Sequence, residues 1–81
     1  DIPISNSLPV TVFPNPATDV VNARIGGFEP QFTEVLDLSG KVIKSANGGT
    51  VSTTSLSSGF YLMRLHSDEN EIRMTKFLIT H

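Results

Sequence analysis

Alternation constrains this chain more than any other feature. In Phe60–His66, Tyr61, Met63 and Leu65 fall on one parity and Phe60, Leu62 and Arg64 on the other, the two-residue period of a strand. The same period runs through Val20–Ile25, where Val21, Ala23 and Ile25 oppose Val20, Asn22 and Arg24. It returns in Ile72–Thr80, where Phe77 and Ile79 oppose Ile72, Met74, Lys76 and Leu78. Shorter β-branched runs stand at Val10–Phe13, Phe32–Leu38, Lys41–Ser45 and Thr50–Thr53. Turn residues divide them: Pro14 with Asn15-Pro16, Gly26-Gly27, Ser39-Gly40, Asn47-Gly48-Gly49 and Asp68–Asn70. No window of about 11 residues carries the three-and-four spacing of an amphipathic helix. Strands repeating every ~8–12 residues, about seven in all, predict an all-β fold of two packed antiparallel sheets.

Two details of that fold stay open. Phe32–Leu38 has apolar residues on both parities, Phe32, Leu36 and Leu38 against Val35, so its facing and the strand order are not fixed. Several strands are apolar on both faces, Phe60 and Leu62 most plainly, which leads us to expect an outer face partly covered by a neighbouring domain or a partner. Leu56, alone in the polar stretch Thr54–Ser58, is expected to anchor a loop to the core. Asp1–Pro9, with Ser5-Asn6-Ser7 between two prolines, has little to bury and reads as a linker from an upstream domain, leaving 10–81 as the folded unit. The first residue is aspartate rather than methionine, so a processed or excised chain is expected.

With 81 residues there is room for one domain, and a chain of that length buries only about 60% of its unfolded surface. It contains no cysteine, which excludes a disulfide scaffold and every thiolate metal site. No basic start followed by an apolar run marks a signal peptide, and apolar runs such as Phe60–Met63 are far short of the roughly 20 residues that cross a bilayer as a helix. Net charge is −2, and Arg24, Lys41, Lys44, Arg64, Arg73 and Lys76 are scattered. Nucleic acid and anionic membrane surfaces are therefore not expected partners.

The side chains offer little chemistry. His66 closes a strand and His81 is the last residue; neither belongs to a zinc-binding spacing. Ser52, Ser55, Ser57 and Ser58 lie in no nucleophile elbow and face no acid–histidine pair. Gly26-Gly27 and Gly48-Gly49 lack the lysine and helix start of a phosphate loop, and read as turns. The acids Asp68, Glu69 and Glu71 crowd a turn without forming a 12-residue calcium loop. The one ion site left open is a weak one on turn carbonyls near Asp19 or Asp37. No cofactor is expected, and catalysis is not.

Three segments, in order, carry a resemblance. They are Val12-Phe13-Pro14-Asn15-Pro16-Ala17-Thr18-Asp19, then Val35-Leu36-Asp37-Leu38-Ser39-Gly40-Lys41-Val42, then Leu56-Ser57-Ser58-Gly59-Phe60-Tyr61-Leu62-Met63-Arg64-Leu65 closing with Lys76-Phe77-Leu78-Ile79. From Leu8 onward the chain resembles the C-terminal sorting domain of the type IX (Por) secretion system of Bacteroidota. That resemblance implies an Ig-like sandwich at the end of a cargo protein already delivered to the periplasm. It implies that the outer-membrane translocon reads the fold, that a surface sortase then cuts within Asp1–Pro9, and that the cargo ends at the cell surface or is released. The domain would be substrate and signal, and catalyse nothing.

Read physically, the motif residues look like fold determinants. Pro14 and Pro16 end strand pairing; Asn15 and Asp19 are expected to close that turn through backbone N–H groups. Gly40 suits a left-handed or bulge position, and Gly59 a sharp entry to the strand of Tyr61, whose hydroxyl can reach an edge partner. Recognition is then expected to lie on surface these residues position, chiefly the last two strands and the end that includes Lys76, Phe77, Ile79 and His81. The resemblance implies a basic final residue; His81 stands there instead, leaving Lys76 to supply a positive charge if one is needed. The rival reading is a fibronectin-like spacer or carbohydrate-binding module of a secreted hydrolase. With no tryptophan, one tyrosine and Phe13, Phe32, Phe60 and Phe77 in strands, only Phe28 stands out as an exposed aromatic. A structural domain without a separate partner is the third reading, and the oligomeric state is not indicated.

Overall fold

Seven strands form in the computed structural model, which describes residues 9–67 and 71–81: β1 (Val10–Phe13), β2 (Val20–Ile25), β3 (Phe32–Leu36), β4 (Val42–Asn47), β5 (Thr50–Ser52), β6 (Gly59–His66) and β7 (Ile72–Ile79). They make two antiparallel sheets, ordered β1-β2-β5 and β4-β3-β6-β7. Most of the expected tail (1–8) and the expected turn at 68–70 lie outside the described residues.

Parity determines what is buried. Val21, Ala23 and Ile25 of β2 and Val51 of β5 meet Val35 of β3, Tyr61, Met63 and Leu65 of β6 and Phe77 and Ile79 of β7 in one core between the sheets. Leu56 packs against it from its loop, as its isolation among polar residues suggests. The two buried threonines are both paired: Thr33 donates from Oγ1 to Gly48 O at 2.7 Å, and Thr53 to Thr18 O at 2.8 Å. Buried hydroxyls need such partners, since an unpaired one costs about 1–3 kcal/mol.

The ambiguous third strand is settled by its neighbours. Val35 pairs with Met63 and faces the core, while Leu36 pairs with Leu62 on the opposite parity and is nonetheless buried, at 2% exposure. On its other edge a bulge falls between Val35 and Leu36, which pair with Lys44 and Val42 and leave Ile43 as the extra residue. The strand ends at Leu36 rather than Leu38 because Asp37 folds the chain back on itself, which leaves Leu38 exposed in the turn. β4 correspondingly starts at Val42 and runs on to Asn47.

The β4–β5 turn is held against the β2–β3 connection. Ala23 N donates to Gly49 O at 2.7 Å, and Gly49 N donates to Glu29 Oε2 at 3.0 Å. A Cβ on Gly49 would press on the Ala23 carbonyl oxygen and lie 2.8 Å from Pro30 Cδ, groups fixed by a ladder and a ring. Gly49→Ala is expected to destabilise the domain by about 1–3 kcal/mol. Urea unfolding checks this, and a midpoint equal to wild type would contradict the packing described.

Candidate functional site

The first singled-out segment leaves β1, crosses to the other sheet and bonds to the last strand. Ala17 N donates to Leu78 O at 2.8 Å and Thr80 N donates to Ala17 O at 2.8 Å, a short parallel bridge beside Ile79. Leu78 N donates to Asn15 Oδ1 at 3.1 Å. Pro14 and Pro16, both after cis peptide bonds, have no N–H to offer, so Asn15 and Ala17 make these bonds. Ala17 is fully buried, where a larger side chain would have to displace core.

This corrects the expectation for Asn15 and Asp19. Asn15 does not close its own turn; its amide oxygen accepts from the Leu78 N–H at the edge of β7 instead. The Asp19 side chain is exposed, and it is the Asp19 backbone carbonyl that accepts from Thr53 N, at 2.9 Å.

The loop before β6 closes on the same end. Tyr61 donates its hydroxyl hydrogen to Ser57 O at 2.6 Å, and the Ser57 hydroxyl lies 3.2 Å from the phenolic oxygen. The Tyr61 ring tilts against Phe77 at 6.1 Å between centroids. His81 donates from its backbone N to Ser58 Oγ at 3.0 Å and from Nε2 to Leu56 O at 2.6 Å. Gly59, at φ +149°, opens β6 opposite Ile79. Residues from the first and third segments and from the end of the chain are thereby drawn together.

The second segment sits at this end of its sheet, Leu36 lying beside Leu62, but it is bonded within itself. Asp37 Oδ1 accepts from Ser39 N at 3.0 Å, Ser39 Oγ at 2.6 Å and Lys41 N at 2.9 Å, with Gly40 at φ +96°. The Ser39 side-chain bond, followed by the Lys41 backbone bond, holds the Asp37 carboxyl below its usual range. Lys76, on the outer face, holds Nζ 5.1 Å from the Phe60 ring centroid.

Some residues escape a reading of sequence alone. Ala17 and Ser58 carry no signal as single residues, and their roles depend on β7 arriving beside them. The same holds for Glu34, whose Oε1 accepts from Arg64 Nε and His66 Nε2, both at 2.7 Å; knowing that β3 pairs with β6 would have revealed the charge match. The Arg64 bond first, and then His66, lowers the Glu34 carboxyl below its ordinary range. Among the described residues no three His, Cys, Asp or Glu side chains are grouped to hold a metal ion. Exposed aromatics are more numerous than expected: Phe13 and Phe60 join Phe28 at the surface.

The marked residues of this two-sheet domain are thus largely spent on closing one end, through bonds that involve the backbone. The family model for the secretion system C-terminal sorting domain matches residues 11–80, and the chain belongs to that family. It is a type IX secretion system C-terminal sorting domain, of a Bacteroidota family, and not an enzyme; its partners belong to a secretion system and its path is extracytoplasmic. No curated protein and no solved structure matches the chain.

Two outcomes follow for this end of the fold. Tyr61→Phe, which removes the bond to Ser57 O, is expected to cost about 0.5–1.5 kcal/mol in urea unfolding without changing the far-ultraviolet spectrum. Asp37 and Glu34 are held below their ordinary values of 3.8 and 4.5, so their stabilising contributions are complete above those values. Both are lost as pH falls through the lower folded values. Urea midpoints should decline across that acid window, and Asp37→Asn should shallow the decline; an unchanged slope would count against the carboxylate's role.

Proposed function

We propose that residues 10–81 are an Ig-like sandwich serving as a folded export signal and that residues 1–9 are the linker to a cargo domain. The outer-membrane translocon engages the folded domain in the periplasm. A surface sortase then cuts within Asp1–Pro9, leaving the cargo at the cell surface or released. The carrying observation is the bonding of Asn15 and Ala17 to Leu78 and Thr80, because it makes the first and last marked segments one unit.

Two features support the Ig-like assignment. The sheets β1-β2-β5 and β4-β3-β6-β7 follow the Ig order except that the fourth strand joins the second sheet. The Tyr61 hydroxyl reaches back to the Ser57 backbone at the entry to the sixth strand, the geometry of a tyrosine corner. On this reading Tyr61, Phe77 and Ile79, all buried, set the shape, as do Gly40 and Gly59 through their backbone angles. Pro14, Asn15, Pro16, Asp19, Lys76 and His81, all exposed, are the marked residues a partner can touch, and Asp37 holds its hairpin in place beside them.

A carbohydrate-binding module is the less supported reading. Phe13 lies on the β1-β2-β5 sheet, Phe60 on the other sheet and Phe28 in the β2–β3 connection, so they build no common platform. The test is a fusion of residues 1–81 behind a periplasmic reporter in a Bacteroidota host with an intact type IX system. Surface delivery is expected for the full chain, with retention in the periplasm when residues 72–81 are deleted and when the translocon is absent. A full-chain fusion that stays in the periplasm of the intact host overturns the reading.

A further inference from the structure

The outer face of the β4-β3-β6-β7 sheet takes no part in closing the end of the sandwich, and it is apolar over several strands. Register sets Phe60 beside Leu78, Arg64 beside Met74 and His66 beside Ile72. Phe60, Met74 and Ile72 are 52%, 50% and 55% exposed, and Val42 on β4 lies on the same side at 41%, beyond the buried Leu36. Single exposed apolar residues are ordinary, but contiguous ones on a regular sheet mark a surface that another molecule covers.

The charge on this face runs against the charge of the chain. The whole chain carries −2. On this side of the sheet, β3 offers Glu34, β6 offers Arg64 and His66, β7 offers Lys76, and the outward residues Val42, Ser45 and Asn47 of β4 carry no charge. Glu34 is already shared by Arg64 and His66. Lys76 has no ion-pair partner among the described residues and lies over Phe60 within the apolar area.

We propose that this face, centred on Phe60, Met74 and Lys76, docks on a protein of the secretion machinery that presents apolar side chains next to a carboxylate. The proposal rests on the sorting function stated above and names the surface that function uses. A second copy of the domain fits less well, because a two-fold contact repeats the patch and brings Lys76 toward its own positive surroundings. An anionic lipid surface is held by clusters of cations, whereas this face offers one unpaired lysine among the described residues.

The experiment uses the full-chain reporter fusion in the intact host. Phe60→Glu and Met74→Glu should each lower surface delivery by about tenfold or more. Lys76→Glu should lower it and Lys76→Arg should preserve it. Phe28→Glu, an equally drastic change away from this face, should be delivered like wild type. Thermal melting of each purified chain separates docking from folding. Should a glutamate variant melt early, a photo-crosslinking residue at position 74, compared with one at 28, decides instead. It should give an adduct with an outer-membrane protein that is absent from a translocon-deficient strain. Normal delivery of the glutamate variants, or an equal loss with Phe28→Glu, overturns the proposal while leaving the sorting function intact. So does an adduct between two copies of the domain, or flotation with anionic vesicles that Met74→Glu abolishes. Failure of the wild-type fusion itself would strike the sorting function and is read separately.

Discussion

The edge of β7 is the point on which the rest of the sandwich depends. An edge strand exposes unpaired N–H and C=O groups, and a small domain has little spare stability with which to tolerate a loose one. Here the segment from Asn15 to Ala17 supplies one carboxamide oxygen, one amide hydrogen and one carbonyl to Leu78 and Thr80. Because Ala17 is buried, its two backbone bonds form at the rim of the core, while the Asn15 bond lies outside them in an exposed position. With β7 fixed, Phe77 and Ile79 are held against Tyr61 and Met63 in the shared core, and the loop carrying Ser57 and Ser58 has a firm surface to close on.

Much of this was readable from the residues, and what was not has a common cause. All the strands follow from two-residue periodicity and turn residues, and the buried parity of β2, β6 and β7 is as the alternation predicts. The boundary of β3 was misplaced because Leu38 is apolar, although the competing signal, Asp37 with Ser39 and Lys41 two and four residues on, stands in the sequence. Asn15 shows the deeper limit. A local reading gives a short amide in a proline turn to its own backbone, yet the partner it serves lies 63 residues away. Strand order, the Glu34 pairing and the importance of Ala17 are likewise properties of long-range neighbours, which periodicity does not encode.

The marked residues divide by the physics they use. Asp37, Gly40 and Gly59 act on backbone conformation, while Tyr61, Phe77 and Ile79 act on packing. The one shifted acid among them, Asp37, serves to hold a turn. The outer sheet face is different: Phe60, Met74 and Ile72 stand half in water, leaving apolar area on the isolated domain that a bound partner would cover.

The long span of the Asn15–Leu78 bond also bears on when the domain comes into being. A ribosome releases the chain from its N-terminal side, so Asn15 and Ala17 emerge well before the strand that completes them. Until Ile72–Ile79 emerges, β6 is an uncovered edge and the core lacks Phe77 and Ile79. A product that stops short of those residues therefore lacks both the edge strand of its larger sheet and part of its core.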